Sequence, residues 1–239
     1  MSNIVKSYVA IILDKSGSMD TIKNEAINHF NEQLQVLQEE SSAPNKVAKK
    51  MLQNEDSNAV ETYVSFITFN QNVTTLIEND DVNNISEIDS STYEPGGTTA
   101  LYDAIGQTIE KFQSYDDIND PNVSVLFTII TDGQENASER FAGDSGRKKV
   151  KSQIDELQET GKWTFTFMGA NQDVMETAVD GLGIRAGNTM SFDHSSEGMT
   201  VASSTHTMST RAYFSAVRDG NLSVESFYDD GSEEDVEEE

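Results

Sequence analysis

Apolar residues in this chain fall into short β-branched runs, separated by segments in which they recur three or four positions apart. Val5-Lys6-Ser7-Tyr8-Val9-Ala10-Ile11-Ile12-Leu13 is nearly continuous and stops at Asp14, the pattern of a strand covered on both faces. From Asp20 onward, Ile22, Ala26, Phe30, Leu34 and Leu37 share one helical face. Residues 62–69 alternate as a strand. Residues 73–77 follow the Asn70-Gln71-Asn72 turn, which predicts a hairpin. Leu101, Ala104, Ile105, Ile109 and Phe112 mark a second helix, and residues 123–130 another core strand. Val150, Ile154 and Leu157 mark a third helix, before a strand over 163–168. The remainder predicts a short helix around 174–179, a strand around 189–192 and a helix over 198–217 that Gly220-Asn221 ends.

Strands that alternate with helices predict an α/β fold: a doubly wound, mostly parallel central sheet with helices on both faces and one antiparallel edge strand. One domain is expected over residues 1–222, with a polar insertion over 39–60 between the first helix and the second strand. Residues 223–239 are expected to form an acidic, disordered tail, since eight of the eleven positions from Asp229 to Glu239 are Asp or Glu. Such a tail can act as a solvated end, dock on a basic partner, or lend a carboxylate such as Glu239 to a cation elsewhere on the chain.

Composition narrows the chemistry. The 239 residues include 16 Lys and Arg against 42 Asp and Glu, a formal charge of −26. That balance opposes binding to nucleic acid or to anionic membrane and favours cations as partners. Cysteine is absent, which excludes disulfides, zinc fingers, iron–sulfur clusters and cysteine nucleophiles. The longest apolar stretch, Tyr8 to Leu13, falls far short of a membrane span, and Met1–Lys6 lacks a signal-peptide pattern. A cytoplasmic protein is expected.

Three polar clusters stand where inferred strands end or core helices begin: Asp14-Lys15-Ser16-Gly17-Ser18, Gly96-Gly97-Thr98-Thr99-Ala100-Leu101-Tyr102-Asp103, and Thr131-Asp132-Gly133. In a doubly wound sheet the carboxyl ends of the strands form the ligand edge, so these segments should meet there. Oxygen donors alone favour a hard cation, Mg²⁺ first and then Mn²⁺ or Ca²⁺. Ser16, Ser18 and Thr99 offer neutral hydroxyls; Asp14 and Asp132 bind directly or through water. A cation that keeps much of its charge and one open position would attract an outside carboxylate.

In this order on alternating strands and helices, the three segments resemble the von Willebrand factor type A (VWA) domain family, whose metal-ion-dependent adhesion site (MIDAS) is built from such segments. The resemblance follows element order over roughly residues 4–219. It implies a metal site of Asp14, Ser16, Ser18, Thr99 and Asp132, with Thr99 chosen over Thr98 by its distance to Ala104-Ile105. It also implies a metal-assisted contact in which a protein partner donates an Asp or Glu.

Other readings compete. Asp14 could cap the helix that enters at Met19, Thr98 or Thr99 could cap the next, and Asp132-Gly133 could be a turn. The metal could be purely structural, in a self-assembling component. A metal-assisted phosphoester hydrolase is the enzymatic alternative, although a haloacid-dehalogenase-like Asp-x-Asp is interrupted by Ser16. No phosphate-loop spacing occurs, and Gly181-x-Gly183 reads as a helix stop and turn. Glu135 and Asn136, close behind Asp132, read as a surface turn ahead of a role in tuning the rim of the site; the Arg147–Lys151 run reads as a solvated helix face ahead of a dock for an acidic partner; and His29, His194 and His206 read as solvated or core residues.

Overall fold

The computed structural model describes residues 4–41, 58–170 and 172–228. Six strands form one sheet: β1 (Ile4–Asp14), β2 (Ala59–Phe69), β3 (Val73–Asp81), β4 (Val123–Thr131), β5 (Trp163–Gly169) and β6 (Thr189–Ser191), in the order β3-β2-β1-β4-β5-β6. Every neighbouring pair is parallel except β2 with β3, the hairpin that the turn at 70–72 predicts. The helices are α1 (Lys23–Ser41), α2 (Leu101–Gln113), α3 (Gly143–Gln158), the short α4 (Gln172–Glu176) and α5 (Ser196–Arg218).

The period-2 geometry of β1 explains how one apolar run serves two cores. Val5, Val9, Ile11 and Leu13 face a layer built with α1 and α5. Tyr8, Ala10 and Ile12 face the opposite layer, built with α2 and α3. β4 divides the same way, with Leu126 and Ile130 on one side and Val125, Phe127 and Ile129 on the other. From β1 the chain crosses to β2 on one flank, whereas β4 lies on the other. The strand order therefore reverses between β1 and β4, and a crevice opens at their carboxyl ends.

Several expectations shift at element edges. The helical pattern begins as a 3₁₀ turn over Gly17–Ile22, and α1 runs on to Ser41. The polar insertion expected over 39–60 is accordingly narrower, because β2 starts at Ala59; residues 42–57 lie outside the described residues. Neither Thr98 nor Thr99 caps α2, whose N-cap position is Ala100 with no side-chain cap.

The end of the domain also moves. The expected boundary at 222 falls short, because residues 223–228 pack against the body. Val224 N–H donates to Thr164 Oγ1, Phe227 N–H to Asn188 Oδ1, and Tyr228 N–H to Gly187 O. Phe227 is buried against the rings of His206 and Tyr213. An acidic composition nearby had masked two aromatic anchors. The acidic run itself, residues 229–239, lies outside the described residues.

His29 and His206 are core histidines. Their rings stand 5.3 Å apart; His29 Nδ1 pairs with Ser203 Oγ and His206 Nδ1 with the Tyr228 hydroxyl, each at 2.8 Å. Burial pushes His29 down to about 4 and His206 in the same direction, so both are neutral. The basic run on α3 is balanced locally: Arg147 and Lys148 pair with Asp144, Lys149 with Glu110, and Lys151 with Asp155.

Phe227→Ala should lower the unfolding free energy by ~3–5 kcal/mol, the usual cost of emptying a buried aromatic site. Urea melts of the two proteins measure this. A loss under ~1 kcal/mol would mean that residues 223–228 do not belong to the folded unit.

Candidate metal centre

Asp14 is the last residue of β1, and Asp132 directly follows β4, the adjacent strand. Strand pairing alone therefore brings two carboxylates to the crevice. Asp14 is fully buried, and both of its oxygens are engaged: Oδ1 accepts the Ser16 N–H and Oδ2 the Thr131 hydroxyl, each at 2.6 Å. The Tyr93 hydroxyl donates to the Asp14 carbonyl and fixes the strand end. Desolvation pushes the Asp14 carboxyl up to about 6, against the pull of these hydrogen bonds, and the Asp132 charge adds to the rise.

The first loop then turns its hydroxyls inward. Ser16 is buried and Ser18 exposed, with 3.2 Å between their Oγ atoms, and Ser18 Oγ donates to Asp132 Oδ1 at 2.7 Å. Thr99 is buried, whereas Thr98 is exposed and its backbone N–H faces Gln71 Oε1. Gly133 supplies the space between these groups. A Cβ there would lie 3.0 Å from Thr99 Oγ1, 3.6 Å from Asp14 Oδ2 and 3.7 Å from Ser16 Oγ. The three sequence clusters thus converge on one small region, and Thr99 rather than Thr98 reaches it.

Donor chemistry and spacing fit a divalent cation. Ligands about 2.1 Å from an octahedral cation stand about 3 Å from their neighbours. The Ser16–Ser18 and Ser18–Asp132 separations of 3.2 and 2.7 Å bracket that edge length. Asp132 Oδ2 is buried and receives no hydrogen bond. Among the described residues no three His, Asp or Glu side chains gather as a conventional metal cluster, so the donors here are mainly hydroxyls.

The von Willebrand factor type A domain model matches residues 9–205, most of the chain. The chain belongs to this family. A search of curated proteins finds no matching relative. Among solved structures, proximal thread matrix protein 1 from the mussel byssus shares 13% identity with a TM-score of 0.54, over 84% of this chain and 47% of that one. A further structure of that protein, with a zinc-occupied MIDAS motif, shares 14% identity with a TM-score of 0.51, over 85% and 47%. This chain spans about half the length of those structures, and identities so low establish the VWA fold alone.

Two features of this VWA site escaped sequence reasoning. Glu135 and Asn136 form a latch rather than a surface turn. Asn136 Oδ1 accepts the Thr99 N–H, and Glu135 accepts the Tyr102, Ala137 and Ser138 N–H groups, so it satisfies the start of α2 in place of a threonine cap. Asp103 closes the latch from the other side by accepting the N–H groups of Glu139, Arg140 and Phe141. Acidic residues two positions into a helix, Asp103, and two past the last motif, Glu135, were the available signal. The second feature is His194, whose Nε2 stands 2.7 Å from Asp132 Oδ2 and 3.3 Å from Thr21 Oγ1. It comes from the loop before α5, far from every motif in sequence.

Because the folded state raises the Asp14 pKa from 3.8 to about 6, it binds this proton more tightly than the unfolded chain does. Stability from this group is therefore greatest below pH 3.8 and lost as the pH rises through 6, a loss of up to about 3 kcal/mol by pH 7. In EDTA at pH 7.5, Asp14→Asn should be more stable than the parent by ~1–3 kcal/mol, the Thr131 hydroxyl turning instead to Gly133 O, 3.1 Å away. The gap should close toward pH 4. Equal stability at pH 7.5 would mean that the carboxylate is not strained by burial.

Proposed function

We propose that this domain is a non-enzymatic binding module that holds a divalent cation with Ser16, Ser18, Thr99 and Asp132, backed by the Asp14 carboxylate through its hydrogen bonds, and uses it to grip an Asp or Glu of a partner protein. The observation that carries this reading is the division of labour between the two carboxylates. Asp14 is saturated by Ser16 and Thr131, so it steadies the loop and supplies negative charge from behind. Asp132 keeps a buried oxygen without a hydrogen bond, beside three inward hydroxyls and the gap at Gly133. When bound, the cation supplies Lewis acidity toward an anionic oxygen. Membership of the VWA family, whose domains are generally adhesion modules, and the zinc-occupied MIDAS motif of a structural relative support the same reading.

The charge of the chain sharpens the requirement for metal. At −26, the protein repels an acidic partner at long range, so the attraction must come from the ion itself. The phosphoester-hydrolase alternative draws no support from the site, because a carboxylate hydrogen-bonded through both oxygens and buried behind the hydroxyls is poorly placed as a nucleophile.

Isothermal titration of the full chain with Mn²⁺ or Mg²⁺ should show one site. Asp132→Ala and Ser16→Ala should each weaken it by roughly 10–100-fold or more while far-UV circular dichroism is unchanged. Metal binding that survives both substitutions would place the cation elsewhere and end this reading.

A further inference from the structure

We infer that His194 is a nitrogen ligand of this metal centre and tunes it toward borderline transition ions such as Zn²⁺ and Co²⁺ rather than Mg²⁺. The inference rests on the cation-binding reading above and adds to it a residue outside the three motifs. Three observations carry it. First, His194 Nε2 lies 2.7 Å from Asp132 Oδ2, close to the roughly 3 Å that separates neighbouring ligands on one cation. Second, Asp132 Oδ2 is buried and accepts no hydrogen bond, so His194 Nε2 lies against a carboxylate oxygen that still has bonding capacity to offer a cation shared by the two. Third, the side chain is 37% exposed and comes from the short segment between β6 and α5, where Ser195 caps α5 through the Gly198 N–H. The ring is therefore anchored at its base yet reachable from solvent.

The electronic consequence follows from donor type. An oxygen-only set suits Mg²⁺, Ca²⁺ and Mn²⁺, whereas one imidazole shifts preference toward Co²⁺ and Zn²⁺. With Ser16, Ser18, Thr99 and Asp132 as the other donors and Asp14 held back by its own hydrogen bonds, His194 makes a fifth donor. An octahedral ion takes about six, so one position stays open for the partner's carboxylate. The same ligand joins the last loop to the first and third motifs. Since that loop leads directly into α5, occupancy of the site would be felt at the start of the final helix.

The test is pulsed electron paramagnetic resonance on the full chain loaded with Mn²⁺, which detects hyperfine coupling from a directly bound ¹⁴N. Coupling is expected in the parent and should vanish in His194→Ala. The other two histidines, His29 and His206, are buried between α1 and α5 and take no part. In parallel titrations His194→Ala should lose at least about tenfold in Zn²⁺ affinity with little change for Mg²⁺. Bound Mn²⁺ without nitrogen coupling in the parent would overturn the inference and leave the oxygen-donor site intact. A parent that binds Mg²⁺ but neither Mn²⁺ nor Zn²⁺ would overturn the inference alone, and failure to bind any of the three would overturn both readings.

Discussion

Two carboxylates at the ends of adjacent parallel strands, β1 and β4, impose the constraint that the rest of the site answers. Burial of a carboxylate at this edge is costly, and Asp14 shows it in a carboxyl pushed up to about 6, chiefly by desolvation, with the nearby Asp132 charge adding to the rise. Around Asp14 the protein answers with hydrogen bonds: the Ser16 N–H and the Thr131 hydroxyl occupy its two oxygens. Around Asp132 it answers only in part, with one serine hydroxyl on Oδ1 and an imidazole edge near Oδ2. The remaining electrostatic deficit is what a divalent cation would relieve, and it is local to the crevice where the strand order reverses.

Rigid scaffolding keeps that deficit from relaxing. β1 is hydrogen-bonded on both sides along its length, and its alternating side chains lock two separate apolar layers. The loop that carries Thr99 is held from three directions. Asn70 accepts the Ala100 N–H and donates to Gly96 O, Gly17 N–H reaches Gly97 O, and the Glu135–Asn136 latch binds the Thr99 and Tyr102 N–H groups. Gly97 makes one of these approaches possible: its φ of +87° is unfavourable for other residues, and a Cβ there would strike Gln71. Pre-set hydroxyls of this kind bind without paying for loop ordering.

Much of this was legible in the chain because it rests on local signals. β-branched runs ending at Asp14 and Ile130, helical spacing of Ile22 to Leu37, and the turn at Asn70-Gln71-Asn72 state the alternation of strand and helix outright. The three motifs could be placed at one edge because parallel strands put all their carboxyl ends on the same side. What was not legible depends on pairings across long stretches of chain. Glu135 meets Tyr102 over 33 positions, and His194 approaches Asp132 over 62, with no spacing rule to announce either. Phe227 and Tyr228 were hidden differently, by a neighbouring acidic run whose composition outweighed two aromatic side chains that anchor the segment.

The central claim is that one divalent ion sits among side chains from three separated segments. A crystal of the full chain grown with Mn²⁺, with data collected at the manganese absorption edge, tests it most directly. The account predicts one strong anomalous peak within coordination distance of Ser16, Ser18, Thr99 and Asp132, with Asp14 hydrogen-bonded behind them. A well-ordered crevice with no peak, or a peak bound elsewhere on the acidic surface, would contradict it.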